Sequence, residues 1–443
     1  MTNSETYTPT HKQNTIPSGW SSLPINEVFE FIGTSSFSRN DLNYEAGEDS
    51  IYYIHYGDIH ATYKNAVLDF DTETRIPVLR KEIKPSTHFL KEGDLIIADA
   101  SEDYEGIGEA LEVFNLKDKK VLAGLHTFAL RDKDNKTVHG YRAYLFKNPD
   151  VKKRLKTIAT GSKVYGISKG NISKFRITLP PLWEQQKITK ILTTWNKAIT
   201  LQQQLIRNKK EYKKAIMKKL LTGEVRFKNH NNSQWSSLPI NEVFEFIGTS
   251  SFSRNDLNYE VEDNSIYYIH YGDIHSTYKN AVLDFNTETR IPVLNKNIKP
   301  SIHLLQEGDL IIADASEDYE GVGESLEVYN LNGKKVLAGL HTFALRDKNN
   351  QTAQGYRAYL FKSPEAKKRL KTIATGSKVY SISKGNLTKF KITLPSLVEQ
   401  QKTASFLSFI DKEITNLNKE LFALRQQRQG LIQQLLTGKI RVK

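Results

Sequence analysis

WSSLPINEVFEFIGTSSFSRNDLNYE, residues 20–45, returns letter for letter at residues 235–260. Subtracting Trp20 from Trp235 gives an offset of 215, and that offset holds without insertion or deletion from 20–228 to 235–443. Between 20–180 and 235–395 about five in six positions match. A period of this length is domain-sized, so the chain reads as two similar folded modules, each with its own core. What one module binds, the other is expected to bind.

Outward from the repeat, composition narrows the class. At 443 residues the chain exceeds the size at which one core keeps growing. With 21 Tyr, 20 Phe and 38% hydrophobic residues it has ample material for packed cores and too much for wholesale disorder. Lys plus Arg total 63 against 50 Asp plus Glu, a net charge of +13 that favours a polyanionic partner, chiefly nucleic acid. No cysteine is present, which excludes disulfides and thiolate metal sites and suits a reducing compartment. No run approaches about 18 apolar residues, and the polar start lacks the apolar core of a signal peptide. A cytoplasmic protein with no membrane partner is expected.

Residues 1–19, absent from the second copy, read as a polar mobile tail ending at the Pro17-Ser18-Gly19 turn. From 20 to 180, β-branched and apolar runs alternate with turn signals: VFEFIG at Val28, SIYYIHYGDI at Ser50, EGDLIIADAS at Glu92, LEVFNL at Leu111 and KKVLAGLHTFALRD at Lys119. The module is mostly β. PDVKKRLKTIAT at Pro149 places Val151, Leu155 and Ile158 at helical spacing behind an initiating proline, which predicts a small helix.

After Pro180-Pro181 the pattern becomes one long helix from about Glu184 to Leu221, stopped at Thr222-Gly223; the copy repeats it from Glu399 to Leu436, stopped at Thr437-Gly438. Leu407, Ile410, Ile414, Leu417, Leu421, Leu424, Leu431 and Leu435 step by three and four, a coiled-coil seam broken by Arg428. The first helix is rougher. Ile188, Ile191, Leu192, Trp195, Ile199, Leu205, Tyr212, Ile216 and Leu220 line one side, with Gln202 and Lys209 as interruptions. The helices have diverged while the modules have not, as expected if each became one half of an asymmetric pair. The boundaries are therefore 20–180 for the first module, 181–228 for its helix and connector, 229–234 for a linker, 235–395 for the second module and 396–443 for its helix.

The order of parts, module, LPPLWEQQKI, long helix, LLTGEVRF, then module, LPSLVEQQKT, long helix, LLTGKIRV, resembles the specificity subunit of type I restriction-modification systems. The junctions TGSKVYGISKGNISKFRITLPPLWEQQKI at Thr160 and TGSKVYSISKGNLTKFKITLPSLVEQQKT at Thr375 carry the resemblance most specifically. It implies an α+β fold: two mostly β target-recognition domains with small helices, joined by two long helices forming an antiparallel coiled coil. It implies double-stranded DNA, two modification (methyltransferase) subunits and restriction/translocase subunits as partners. S-adenosylmethionine, ATP and Mg would sit on those partner subunits, with no cofactor or metal on this chain. Ile188, Leu192, Trp195, Ile199, Leu407, Ile410, Ile414, Leu417, Leu421 and Leu424 would form the coiled-coil and partner interface. Family members usually carry dissimilar recognition domains; two like modules predict a bipartite, gapped-palindromic site. A chain ending near Lys228 is then expected to homodimerise through its helix and to bind the same site.

Candidate contacts follow from side-chain chemistry. Lys163, Lys169, Lys378 and Lys384 lie in Gly- and Ser-rich junction loops suited to backbone phosphates. Arg39 and Asn40, with Arg254 and Asn255, match guanine and adenine edges; Tyr63, Lys64 and Asn65, with Tyr278, Lys279 and Asn280, form a second polar loop. His55 and His60 in HYGDIH, read on a strand, point to opposite faces and share no ion. Asp94, Asp99, Glu102 and Asp103 fit a strand followed by an acidic turn better than a nuclease centre, and GIGEA at Gly106 lacks the setting of a dinucleotide loop. There is no G-x-x-x-x-G-K-[ST] loop and no Asn-Pro-Pro-Tyr/Phe motif, so catalysis is expected from other subunits. The competing readings are a self-contained Mg-dependent endonuclease and a coiled-coil protein adaptor.

Overall fold

The structure, a computed structural model, describes residues 16–63, 65–84, 87–228, 234–278, 280–294 and 303–442. Lys64, Lys279, residues 1–15 of the tail and 229–233 of the linker lie outside the described residues. The chain folds as two compact units, Met1–Gln202 with Glu420–Lys443, and Gln203–Lys419.

In the first unit a five-stranded sheet runs in the order Phe29–Ile32, Thr127–Asp132, Leu95–Ala98, Ala110–Phe114, Val67–Asp69, antiparallel except for its last, parallel pair. Its central strand, LIIA, is buried at every position, as a strand covered on both faces must be. Ile96, with Leu111 and Val113, faces a four-stranded sheet built from Lys120–Ala123, Ile51–Ile54, Val78–Leu79 and Leu42–Asn43. Leu95 and Ile97 point the other way, into a core shared with Tyr141, Phe146, Leu155, Ile172 and Ile177. The small helix is Pro149–Ile158, with Asn148 capping its start by accepting from the Asp150 N–H. Thr127–Asp132 and Lys120–Ala123 belong to different sheets, so the Leu125-His126 turn between them also joins the two layers.

The second unit repeats this architecture, with sheets ordered Phe244–Ile247, Thr342–Asp347, Leu310–Ala313, Ser325–Tyr329, Val282–Asp284 and Leu257–Asn258, Val293–Leu294, Ile266–Ile269, Lys335–Ala338. One reading of the sequence is corrected in both units. HYGDIH is not strand: the strand stops at Ile54, His55 accepts from the Gly57 N–H, and His60 lies on the helix Tyr56–Ala61. An imidazole at the capping position ends the extended run, because it satisfies an otherwise orphaned helix donor.

The long helices span Leu182–Thr222 and Leu397–Leu436, and each contributes to both units. Within the first unit, Ile188 and Leu192 of the first helix meet Ile432, Leu435 and Leu436 of the second in the module's own core. In the second unit Met217 and Leu220 of the first helix do the same with Leu407, Ala358 and Tyr359. Each module is thus closed by the end of the other repeat's helix. Burying a Leu or Ile side chain stabilises by about 1.5–3 kcal/mol, so this closure is a substantial part of each core.

The interruptions in the seam are paired residues. Gln202 donates to Glu420 at 3.0 Å in the first unit, and Lys209 meets Glu413 at 3.0 Å in the second, an antiparallel register. Arg428 donates to Asn196 Oδ1 at 2.7 Å, and Asn196 donates to the Tyr144 hydroxyl at 2.7 Å. At the repeat-equivalent positions of the second unit stand Lys213, Asp411 and Tyr359, where the hydroxyl donates to Asp411 at 2.8 Å and Lys213 pairs with the same carboxylate. The two triads have one geometry and different chemistry. Pairing the first helix with a second copy of itself would set Lys209 against Ala198 instead of Glu413. A chain ending near Lys228 would have to homodimerise without the Lys209–Glu413 pair, a contact that single-helix periodicity does not reveal.

Candidate nucleic-acid interface

The junction motifs meet in space. Glu184 of LPPLWEQQ is fully buried and accepts two hydrogen bonds from Arg441 of LLTGKIRV, both at 2.7 Å, and one from the Trp20 indole at 3.0 Å. In the second unit Glu399 accepts from Arg226 of LLTGEVRF at 2.9 and 2.7 Å. The neighbouring glutamine clamps the module to the helix: Gln185 accepts from the Val138 N–H and donates to the Lys136 and Pro180 carbonyls, and Gln400 does the same at Ala353, Gln351 and Pro395. The LPPLWEQQ, LPSLVEQQ and LLTG segments of the junctions are therefore closure devices between module and helices.

The junction lysines lie on the surface of each module. Lys163 and Lys378 are exposed on tight loops whose Gly161 and Gly376 hold φ of +127° and +125°. A Cβ at either glycine would overlap the carbonyl of Val164 or Val379, so only glycine fits. Lys169 and Lys384 are also exposed, each at the first position of a short helix with its ammonium 5.1 or 4.9 Å from the centre of the Phe31 or Phe246 ring.

Arg39 and Asn40 open the one-turn helix Arg39–Asp41, and both are exposed. The Arg39 fork is engaged bidentately by buried Asp58 at 2.6 and 2.8 Å, a hydrogen-bonded contact that holds the guanidinium pKa above its ordinary value. In the copy Arg254 divides its fork between Asp273 and Tyr259, and Asn255 is exposed. A fork already filled by carboxylate has less to offer guanine, while Asn40 and Asn255 stay open. The second polar loop divides similarly. Tyr63 and Tyr278 are buried core residues whose hydroxyls are raised in pKa by burial, whereas Asn65 and Asn280 are exposed. Ile188, Leu192, Ile199, Leu407, Ile410 and Leu421 are buried; Trp195, Ile414, Leu417 and Leu424 are half-buried.

Asp58 begins a further chain of contacts that the sequence reading missed. Its helix, Tyr56–Ala61, sets the Tyr56 ring edge-on to His126, with 5.3 Å between centroids. His126 Nδ1 lies 3.4 Å from Asp99. Asp99 in turn ties the Lys163 loop down, because its carbonyl accepts from the Ile167 N–H at 2.8 Å and its N–H donates to the His126 carbonyl at 3.0 Å. His60 donates to the Ala100 carbonyl at 3.0 Å. One face of the module thus brings together Arg39, Asn40, Tyr56, His126 and the lysine loop. Burial raises the Asp99 pKa against the opposing pull of His126, and burial, then the charge of Arg39, lowers that of His55. Asp94, by contrast, is spent on Arg131, at 2.9 and 2.6 Å. Among the described residues no three His, Cys, Asp or Glu side chains form a metal-holding group, and no helix is long and apolar enough to cross a membrane.

Comparison with known proteins gives one consistent family. The model of the type I restriction modification DNA specificity domain matches residues 17–209 and again 232–424. A protein described as the type I restriction enzyme MjaX specificity subunit of Methanocaldococcus jannaschii is 26% identical over 445 residues, covering 97% of this chain and 95% of its own. The MjaVIII specificity subunit of the same organism is 28% identical over 316 residues, 68% of this chain and 70% of its own. Among solved structures, the type I restriction-modification S subunit from M. genitalium superposes with a TM-score of 0.51 at 15% identity, covering 96% of this chain and 97% of that one. A chain solved in work on the assembly and conformational transition of the type I R-M system gives 0.57 at 16% identity, covering 96% and 100%. These structures share the fold.

Proposed function

Because this chain belongs to the family of type I restriction-modification DNA specificity domains, carrying that domain twice, we propose that it aims modification and restriction subunits at a gapped palindrome. The observation that carries this reading is the sameness of the two modules in side chains and in geometry. Lys163 and Lys378, and His126 and His341, recur in the same local settings, and Arg39 and Arg254 each pair with the equivalent aspartate, Asp58 or Asp273. Two equal reading surfaces, on helices that run antiparallel within each unit, fit one short word read in opposite senses on the two strands. The chain supplies recognition, and methyl transfer from S-adenosylmethionine, ATP hydrolysis and Mg chemistry belong to two modification subunits and the restriction/translocase subunits. The basic charge supports duplex DNA as the ligand through phosphate contacts.

The test is to sequence adenine methylation in cells carrying the intact system. A gapped palindrome is the expected motif; an asymmetric bipartite motif would refute it. Purified chain given duplex and Mg alone should leave the DNA uncut, and its binding to random duplex should weaken steeply with salt. Cutting would favour the endonuclease reading, and a flat salt response the adaptor.

A further inference from the structure

The Leu125-His126 turn joins the two sheets and presents an exposed leucine beside a half-exposed histidine. His126 sits at φ +58°, and its counterpart His341 at +57°, in the left-handed region that favours glycine or asparagine. Among the described residues the other positive-φ positions that are not glycine are all Asn except Lys117. Each histidine side chain is half exposed, beside an exposed leucine, Leu125 or Leu340. Behind each ring stands an aspartate only about a quarter exposed, with His126 Nδ1 to Asp99 and His341 Nδ1 to Asp314 both 3.4 Å. Asp314 Oδ1 is buried and has no hydrogen-bond partner of good geometry among the described residues. A desolvated carboxylate held behind an exposed imidazole is costly, and a strained backbone presenting it twice is costlier.

Each aspartate lies on the Nδ1 side of its ring. In the neutral ring a carboxylate on that side favours the proton on Nδ1, and Nε2 on the far side is then a hydrogen-bond acceptor. Tyr56 and Tyr271 hold the rings edge-on at 5.3 Å in both modules. The turn is tied to the lysine loop through Asp99, whose N–H donates to the His126 carbonyl and whose carbonyl accepts from Ile167, so a phosphate contact at Lys163 and a base contact at His126 would belong to one face. An acceptor aimed into the major groove reads an exocyclic amino group, that of adenine N6 or cytosine N4.

We propose that His126 and His341, each oriented by its aspartate, read an amino-bearing base in the half-site of their own module. This inference rests on the DNA-specificity reading above and names residues for it. Asp99 and Asp314 are positioning residues, because they act through the ring.

The test uses the full chain with its modification subunits and a pool of random duplexes. His126→Gly and His341→Gly remove the rings while suiting the backbone. Each should relax discrimination at one base pair of one half-site by roughly five- to a hundredfold, with a smaller effect on binding to random duplex. Removing the amino group from that base, with nebularine in place of adenine or pyrimidinone in place of cytosine, should weaken the wild type by a similar factor and the glycine variant not at all. Asp99→Asn should change the preference at that same base pair and nowhere else. An enriched wild-type site that His126→Gly and His341→Gly read equally well at every position overturns the inference alone, as does a loss that adds in full to removal of the amino group. A wild-type pool with no enriched sequence overturns the specificity reading, and the inference with it.

Discussion

Asp411 holds the second unit's seam in a way that can be weighed. Its carboxylate pairs with Lys213, and the two side chains are 16% and 20% exposed. It also accepts from the hydroxyl of Tyr359, itself 1% exposed. Asp411→Ala strands the ammonium and leaves the phenol without an acceptor. A charged hydrogen bond contributes about 1.5–3 kcal/mol and an unsatisfied buried hydroxyl costs a further 1 kcal/mol or more, so a loss of about 3 kcal/mol is expected. For a unit of roughly 220 residues each kcal/mol moves the transition by about 2–4 °C, giving a fall of about 6–12 °C. Lys213→Met added to Asp411→Ala removes the stranded charge, and the double variant should recover about 1–2 kcal/mol relative to the sum of the single losses. Calorimetry on the full chain measures the size, and hydrogen exchange locates it: protection should fall in 203–419 and hold in the first unit. An Asp411→Ala chain within about 0.5 kcal/mol of wild type, or a strictly additive double variant, would show that the triad is a surface decoration.

Two further outcomes follow from other sites. Lys163→Ala with Lys378→Ala should weaken binding to all duplexes alike and lower the log–log salt slope by about two, one for each phosphate contact; equilibrium binding across a salt series measures it, and an unchanged slope removes these lysines from the interface. Burial alone would raise the Glu324 pKa, but Lys362 and Lys367 outweigh it and bring it to about 2. With its folded pKa below the unfolded value, Glu324 lends stability above about pH 4.5 that is lost as pH falls toward 2, so acid titration should destabilise wild type more than Glu324→Gln over that window.

Much of the fold was legible because it rests on local pattern. The repeat predicted two modules, EGDLIIADAS was read as a β run, and Pro149 marked its helix. What escaped were features decided by partners distant in sequence. Gln202, Lys209 and Arg428 look like flaws in a seam read one helix at a time, and become matched pairs only when Glu420, Glu413 and Asn196 stand opposite. Tyr63 sits among polar neighbours in sequence and inside the core in space. His126 gave no signal in the sequence, since its setting depends on a positive φ and on Asp99, brought beside it by the neighbouring strand. Arg39 was visible as a base-reading type, but its engagement by Asp58 was not.

The closing of the first module by Ile432, Leu435, Leu436 and Arg441 sets an order of events during synthesis. The module that leaves the ribosome first is finished last. Residues 203–419 contain everything the second unit needs, while Glu184, buried in the finished protein, waits for a guanidinium more than two hundred residues downstream. Contacts of such separation form slowly, and the incomplete core stays open meanwhile. Removing residues 420–443 would therefore leave the first module without the side chains that close its core while sparing 203–419.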